Sequence, residues 1–241
     1  MGNAIKTVMV SAMLFILPVC QAQQSIPSSP RSREVITRIK PLIEKKLAEN
    51  DLILGAPVFI RIFKEEMNLE VWLKKDSFYT LFKTYPICTY GSGGLGPKIR
   101  QGDGKAPEGF YFVTPSRLNP VSMFHLSFNL GYPNRYDRYH GRTGSALMVH
   151  GSCVSIGCYA VTDSSIEEIY TLADAALRQG QPFIRVHIFP YKMTDVNMER
   201  HAENRWYEFW ANLKMGYDFF KERNYVPPNV EVRNGKYVFE R

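Results

Sequence analysis

His150-Gly151-Ser152-Cys153-Val154-Ser155-Ile156-Gly157-Cys158 brings an imidazole and two thiols together in one short run punctuated by serine and glycine. A cysteine nucleophile needs a group to take its proton and donors to hold the oxyanion that its attack creates. The run can supply both. Cys158 is the candidate nucleophile and His150 the candidate acid and base, while Gly157, Ser155 and Gly151 are candidates for the oxyanion donors and the turn around them. An ordinary cysteine titrates near about 8.5 and reacts as thiolate, so chemistry near neutrality requires such a partner. Ala146 to His150 reads as a short apolar strand that delivers the imidazole at its end. The second ring nitrogen then needs an acceptor, and a neighbouring backbone carbonyl or Asp137 can serve.

The arrangement resembles the YkuD family of L,D-transpeptidase catalytic domains. Its signature is a histidine, usually followed by glycine, then a spacer and Ser-His-Gly-Cys. Here the end of the signature reads Ser155-Ile156-Gly157-Cys158. Lys105-Ala106-Pro107-Glu108-Gly109-Phe110-Tyr111 is similar to the family's Thr-Pro-x-Gly-x-Phe segment. Gly93-Gly94-Leu95-Gly96-Pro97-Lys98, Tyr136-Asp137-Arg138 and Gly157-Cys158-Tyr159-Ala160-Val161-Thr162 resemble the YafK-like branch. Two positions depart from the pattern: Ile156 replaces the usual histidine, and Ala160 replaces an arginine that often follows the nucleophile. The resemblance implies a mostly β, α+β fold of sandwich or barrel-like build. It also implies peptidoglycan stem peptides as substrate, with acyl transfer through a thioester on Cys158. Hydrolysis that releases a peptide or protein from diaminopimelate is the alternative, and a wall-binding module without turnover is a second. No metal and no cofactor is needed.

Residues 1–22 read as a secretory signal, with Lys6, an apolar run from Val8 to Val19, and Cys20-Gln21-Ala22 before the cut. This predicts a periplasmic chain with no membrane span once the signal is removed; acylation of Cys20 is disfavoured by Pro18 and Val19. Of the 4 cysteines, Cys88, Cys153 and Cys158 then remain in an oxidising compartment. The odd number leaves one thiol free, and Cys158 is the natural choice; Cys88 and Cys153 are either joined or two buried thiols. His150, Cys153, Cys158 and Cys88 also have ligand-like spacing, but it fits no common zinc module. A formal charge of +7 favours anionic partners such as the envelope. The basic residues are scattered and no nucleic-acid motif occurs, so nucleic acid is not a partner.

Residues 23–56 read as a polar linker followed by a helix from Arg33 to Leu47, in which Pro41 is a kink or a restart. Residues 57–190 form the expected catalytic domain. Its strands are Val58 to Phe63, Leu69 to Leu73, Phe78 to Ile87, Gly109 to Val113, Leu126 to Leu130, Ala146 to His150 and Phe183 to Phe189. A helix capped by Asp163 or Ser164 runs to about Gln179. The Gly-rich loop from Gly91 to Pro107 lacks the ending of a phosphate-binding loop. Its Lys98, Arg100 and Lys105, together with Arg138 and Tyr159, are candidates for contact with substrate carboxylates or the peptide. Residues 191–241 carry an aromatic stripe on one or two helices broken near Gly216, read as packing surface, and then a hairpin around Asn234-Gly235.

Overall fold

The computed structural model of the chain describes Gly2 and residues 25–240. The signal segment and Cys20 lie outside the described residues. The first helix, α1 (Pro30–Ala48), begins three residues earlier than the periodicity predicts, because Ser29 and Ser32 form a reciprocal capping box and Pro30 takes the first turn. It runs unbroken through Pro41 and buries Val35, Ile39, Ile43 and Leu47 along one stripe.

The first sheet is built from β1 (Val58–Phe63), β2 (Asn68–Lys75), β3 (Phe78–Pro86), β4 (Gly109–Val113) and β9 (Ile184–Phe189), in the order β3-β2-β1-β9-β4. β1 and β9 are parallel, and the other pairs are antiparallel. The second sheet, β5 (Leu118–Asn119), β6 (Ser127–Asn129), β7 (Met148–His150) and β8 (Tyr159–Ala160), runs in sequence order, with β7 and β8 parallel. A bridge from Thr89 to Ala160 ties the segment after β3 to β8. The architecture is the mixed α+β one the sequence predicts, and no barrel closes among the described residues.

Both faces of the first sheet are covered, which is why every residue of β1 is buried. Val58, Ile60 and Ile62 join the core shared with the second sheet, α1 and α3 (Asp163–Arg178). The cap of α3 is Thr162, whose side chain accepts the amide of Ser165, one residue before the expected pair; Asp163 has another partner, described below. On the opposite face Phe63 packs with Phe110, Phe189, Trp210 and Tyr237. That layer is completed by α2 (Arg135–Tyr139), α4 (Asp195–Arg200), α5 (Tyr207–Glu222) and the hairpin β10 (Asn229–Arg233) and β11 (Lys236–Glu240). The aromatic stripe of the C-terminal segment is therefore core. Even the charge on β1 is absorbed there: the Arg61 guanidinium lies 4.4 Å from the Tyr217 ring centroid and 5.0 Å from those of Phe63 and Phe220.

The helical tail breaks between α4 and α5 and not at Gly216. Gly216 is buried inside α5, where a Cβ would come within 2.4 Å of the Phe239 ring and 2.7 Å of Phe110. The glycine permits close helix approach at that point, and the helix keeps its hydrogen bonds through it.

A buried ion pair fixes the Gly-rich loop to this scaffold. Lys64 Nζ lies 2.9 Å from Glu108 Oε1 with neither side chain exposed. It also donates to the carbonyls of Gly96 and Ala106, while Glu108 accepts from the Gly96 amide and from Trp210 Nε1 at 2.8 Å each. Burial pushes the Lys64 ammonium below its ordinary range, and Glu108 opposes that shift.

Candidate active site

The parallel register pairs Val149 with Tyr159 and His150 with Ala160. Cys158 therefore stands one step before β8, beside Met148. Its Sγ lies 3.4 Å from the Met148 amide and 3.6 Å from the Ala146 carbonyl oxygen. Met148 and His150 are two apart on one strand, so they leave the same face, and Cys158 shares that face by its register. The second sheet thus places the free thiol and the imidazole on one face.

Each group has a defined orientation. His150 Nδ1 is 2.6 Å from the Gly151 carbonyl oxygen. Asp137, the other acceptor considered for it, is fully buried elsewhere, bonded to Arg142 and to the Tyr111 hydroxyl at 2.9 Å each. The imidazole is 2 % exposed and is covered by Phe124, whose ring lies 4.6 Å away at an interplanar angle of 27°. Burial lowers the His150 pKa from its ordinary 6.5, against the opposing bond to Gly151. Burial raises that of the Cys158 thiol, against the Met148 amide and the charge of Lys98. Both shifts favour the neutral forms, a thiol beside an uncharged imidazole.

The turn between them is held from three sides. Ser155 Oγ accepts the amides of Gly157 at 3.0 Å and Cys158 at 2.7 Å, and donates to the Cys158 carbonyl at 2.7 Å. The amides read as oxyanion donors are thus engaged by Ser155 in this structure. Ser152 and Cys153 have positive φ, 69° and 45°. Their conformation is locked by Asp163, which accepts the Ser152 amide at 2.8 Å, and by a disulfide from Cys153 to Cys88, 65 residues away in sequence. Cys158 is the free cysteine among the described residues. The disulfide uses both additional sulfurs that a His150, Cys153, Cys158 and Cys88 metal site would need. From the third side comes the Gly-rich loop: a Cβ on Gly91, where φ is 98°, would lie 2.5 Å from the Gly104 carbonyl and 2.8 Å from the Gly157 amide.

The residues expected to hold substrate separate. Arg100 is exposed on the loop. Lys98 is buried, with its ammonium 2.7 Å from Asp103 and 3.0 Å from the Arg100 carbonyl. Two of its bonds are made within the protein, and its reach to Cys158 is electrostatic. Asp103 is held down to about 2; burial works against this and is outweighed by the bond to Lys98 and the amides of Ile99, Arg100 and Lys105. Lys105 is likewise bound to the carbonyls of Gly93 and Leu95. Tyr159 is fully buried and donates to the Pro107 carbonyl at 2.7 Å, so it is a core residue and not a substrate contact. Arg138 lies on α2 and bonds the Pro133 carbonyl; it lines a cavity with Arg117 and Arg135. Ile156, in place of the usual histidine, is 92 % exposed. Phe124 and the backbone groups of Ala146 and Met148 escape sequence reasoning, since no motif marks them, whereas the Gly151 carbonyl is one of the two kinds of acceptor the sequence offers His150.

Residues 57–188 match the family model of the YkuD L,D-transpeptidase catalytic domain. The chain is 52% identical over 186 residues to a protein of Escherichia coli strain K12 named "Putative L,D-transpeptidase YafK", a match that covers 77% of this chain and 75% of that one. Among solved structures, the helical cell shape determining protein Pgp2 of Campylobacter jejuni is similar at 20% identity and a TM-score of 0.45, over 81% of this chain and 66% of that one. This last likeness is distant, and the assignment stands without it. With the family model matched across more than half of its length and a relative this similar, the chain belongs to the YkuD family of L,D-transpeptidase catalytic domains.

Proposed function

We propose that this protein is a cysteine-nucleophile enzyme that modifies peptidoglycan by acyl transfer. The observation that carries the reading is the juxtaposition on one face of the second sheet of a free Cys158 thiol and an imidazole whose Nδ1 is committed to a carbonyl oxygen. A carbonyl oxygen only accepts, so the neutral ring carries its proton on Nδ1 and Nε2 keeps a lone pair. As Sγ attacks a stem-peptide carbonyl, Nε2 takes the thiol proton. The carbon–sulfur bond forms and the carbonyl π electrons move to oxygen. Collapse of that oxyanion breaks the carbon–nitrogen bond, and the imidazolium returns the proton to the departing amine. The resulting thioester passes its acyl group to an acceptor amine. No metal or cofactor enters these steps.

Hydrolysis of the same thioester is the second reading, and Ile156 favours it. An exposed apolar side chain stands where the family's usual histidine would present an imidazole, which changes the acceptor side. The substrate is then a peptide or protein joined to diaminopimelate. The Cys88–Cys153 bond supports an exported, periplasmic location, since disulfides persist in oxidising compartments.

Incubation with defined muropeptides, read by mass spectrometry, tests the proposal. Cross-linked or exchanged products are expected for transfer and a water-added product for hydrolysis, with an acyl adduct on the Cys158 peptide in both. Turnover that survives Cys158→Ala would sink the mechanism, and unaltered muropeptides with an unreactive Cys158 would leave a wall-binding module.

A further inference from the structure

The segment between β5 and β6, residues 120–126, supplies no group to the chemistry above, yet it is anchored to two helices beside the site. It is fastened to α1 at three backbone carbonyls. Ser29 Oγ donates to Pro120 at 2.8 Å, and Arg31 Nη1 donates to both Ser122 and His125 at 2.8 Å each. It is fastened to α3 by a side chain: His125, at a positive φ of 65°, places Nε2 2.9 Å from Glu167 Oε1, which also binds Arg38 at 2.7 Å. Its own turn is closed by the Phe124 amide on Ser122 Oγ at 3.1 Å.

These anchors converge on His150. The Phe124 carbonyl accepts the Gly151 amide at 3.1 Å, and the Gly151 carbonyl in turn faces His150 Nδ1. The Phe124 ring lies on the imidazole. One residue of the loop therefore holds the His150–Gly151 peptide, an amide it shares with the Leu126 carbonyl at 3.3 Å, and covers the imidazole; the carbonyl that faces Nδ1 lies in the next peptide, whose Ser152 amide is held by Asp163. We propose that α1 and the 120–126 loop form a clamp in which Arg31 and Phe124 are positioning residues that set the orientation and the basicity of His150. The proposal rests on the reading of His150 as the base.

The physical logic is desolvation. An imidazole covered by an aromatic ring pays a penalty for taking a proton, so the neutral ring persists to lower pH. Orientation follows from the His150 backbone, because a shift of the His150–Gly151 peptide, which the Phe124 carbonyl holds, would carry the imidazole away from the Gly151 carbonyl oxygen. The ionisable groups on the elements packed against the ring are the Cys158 thiol one step before the neighbouring strand, Asp163 at the start of α3 with an oxygen on the Ser152 amide, His125 paired with Glu167, and Arg31 on α1. Arg31 carries a positive charge whose loss is itself an electrostatic change. It is exposed, so salt screens it, whereas a positional effect persists in salt.

The test is an NMR titration of the His150 imidazole in the folded, substrate-free protein, in low salt and in about 1 M salt where the screening length falls to about 3 Å. Phe124→Ala is expected to raise the imidazole pKa by about half a pH unit or more, and Phe124→Tyr, which keeps the ring, to restore it. Arg31→Ala is expected to raise it in both salts and to lower kcat about tenfold through misplacement of the base. Thermal melts identify any variant that fails to fold, and Ser29→Ala then replaces Arg31→Ala in the series. An imidazole titration that does not move in Phe124→Ala, or moves in Arg31→Ala only at low salt, overturns the clamp. Because this readout uses no substrate, it stands apart from the proposed reaction, which activity in His150→Gln would overturn by itself.

Discussion

His150 Nδ1 faces the carbonyl oxygen of the residue that follows it, Gly151, at 2.6 Å. The histidine is thus oriented by its own backbone, and among the described residues no carboxylate bonds the ring directly; Asp163 acts one step away, on the Ser152 amide of the same peptide. A carboxylate partner would stabilise the imidazolium strongly; a carbonyl does so weakly, and burial prevails. In the proposed mechanism, burial then favours the uncharged form of the base and the protonated form of the nucleophile before substrate binds.

The first prediction follows from those two shifts. Activity on amide substrates requires a neutral imidazole and a thiol that still carries its proton. As pH rises, the imidazole becomes neutral at a value below the ordinary 6.5, so the acid limb lies below that point. The thiol keeps its proton beyond the ordinary cysteine range, so the alkaline limb lies above that range. The profile is a broad plateau whose limbs belong to the coupled pair. Rates of alkylation at Cys158 against pH measure the upper limb directly. A thiolate that forms below neutrality would contradict the neutral pair.

Ser155→Ala is expected to loosen the nucleophile. Its hydroxyl takes the Gly157 and Cys158 amides and returns a bond to the Cys158 carbonyl. Loss of these bonds costs about 1–3 kcal/mol of stability. Turnover falls about tenfold or more through misplacement of Sγ. Chemical denaturation and steady-state kinetics on the same preparation separate the two effects, and Ser155→Thr, which keeps the hydroxyl, retains much of both.

Glu108→Gln removes the counter-charge of Lys64 in a site with no exposure. Breaking a buried pair on one side destabilises by about 3–5 kcal/mol. The Gly96 amide and Trp210 Nε1 also bond Glu108, so the damage spreads to the loop behind Gly157. Lower thermal stability is expected, together with faster proteolysis between Gly91 and Pro107. A melting temperature equal to that of the parent would refute the role given to this pair.

Reduction of the Cys88–Cys153 bond is expected to lower stability by up to about 4 kcal/mol, from the entropy of a closed loop of this length. Cys158 stays in place under reductant, so activity persists at temperatures where the reduced protein remains folded. Labelling before and after reduction should count one reactive thiol and then three in the processed chain. Loss of activity on reduction without loss of fold would mean that the bond sets the His150–Cys158 geometry more tightly than the Ser155 and Asp163 contacts suggest.

Much of the architecture was legible in the sequence because its signals are local. The alternation in Val58 to Phe63, the Asn234-Gly235 turn and the stripe Val35, Ile39, Ile43 and Leu47 each depend on neighbours a few residues away. The mistaken readings came where contacts are long-range. Gly216 resembles a helix breaker until Phe110 and Phe239 are seen against it. Tyr159 resembles a ligand contact until Pro107 receives its hydroxyl. Lys98 resembles an anion site until Asp103 is found 2.7 Å away.

The sequence by itself determined the family, the α+β fold class and the pairing of one histidine with one cysteine in a glycine-punctuated run, since motif spacing is a property of the chain. Only the tertiary structure decided that Gly151 and not Asp137 orients the imidazole. It alone joined Cys88 to Cys153, placed Phe124 over His150 and occupied Lys98 internally. The physical reason is the same in each case: burial, hydrogen-bond partners and pKa shifts depend on how the folded chain disposes near and distant groups around a side chain.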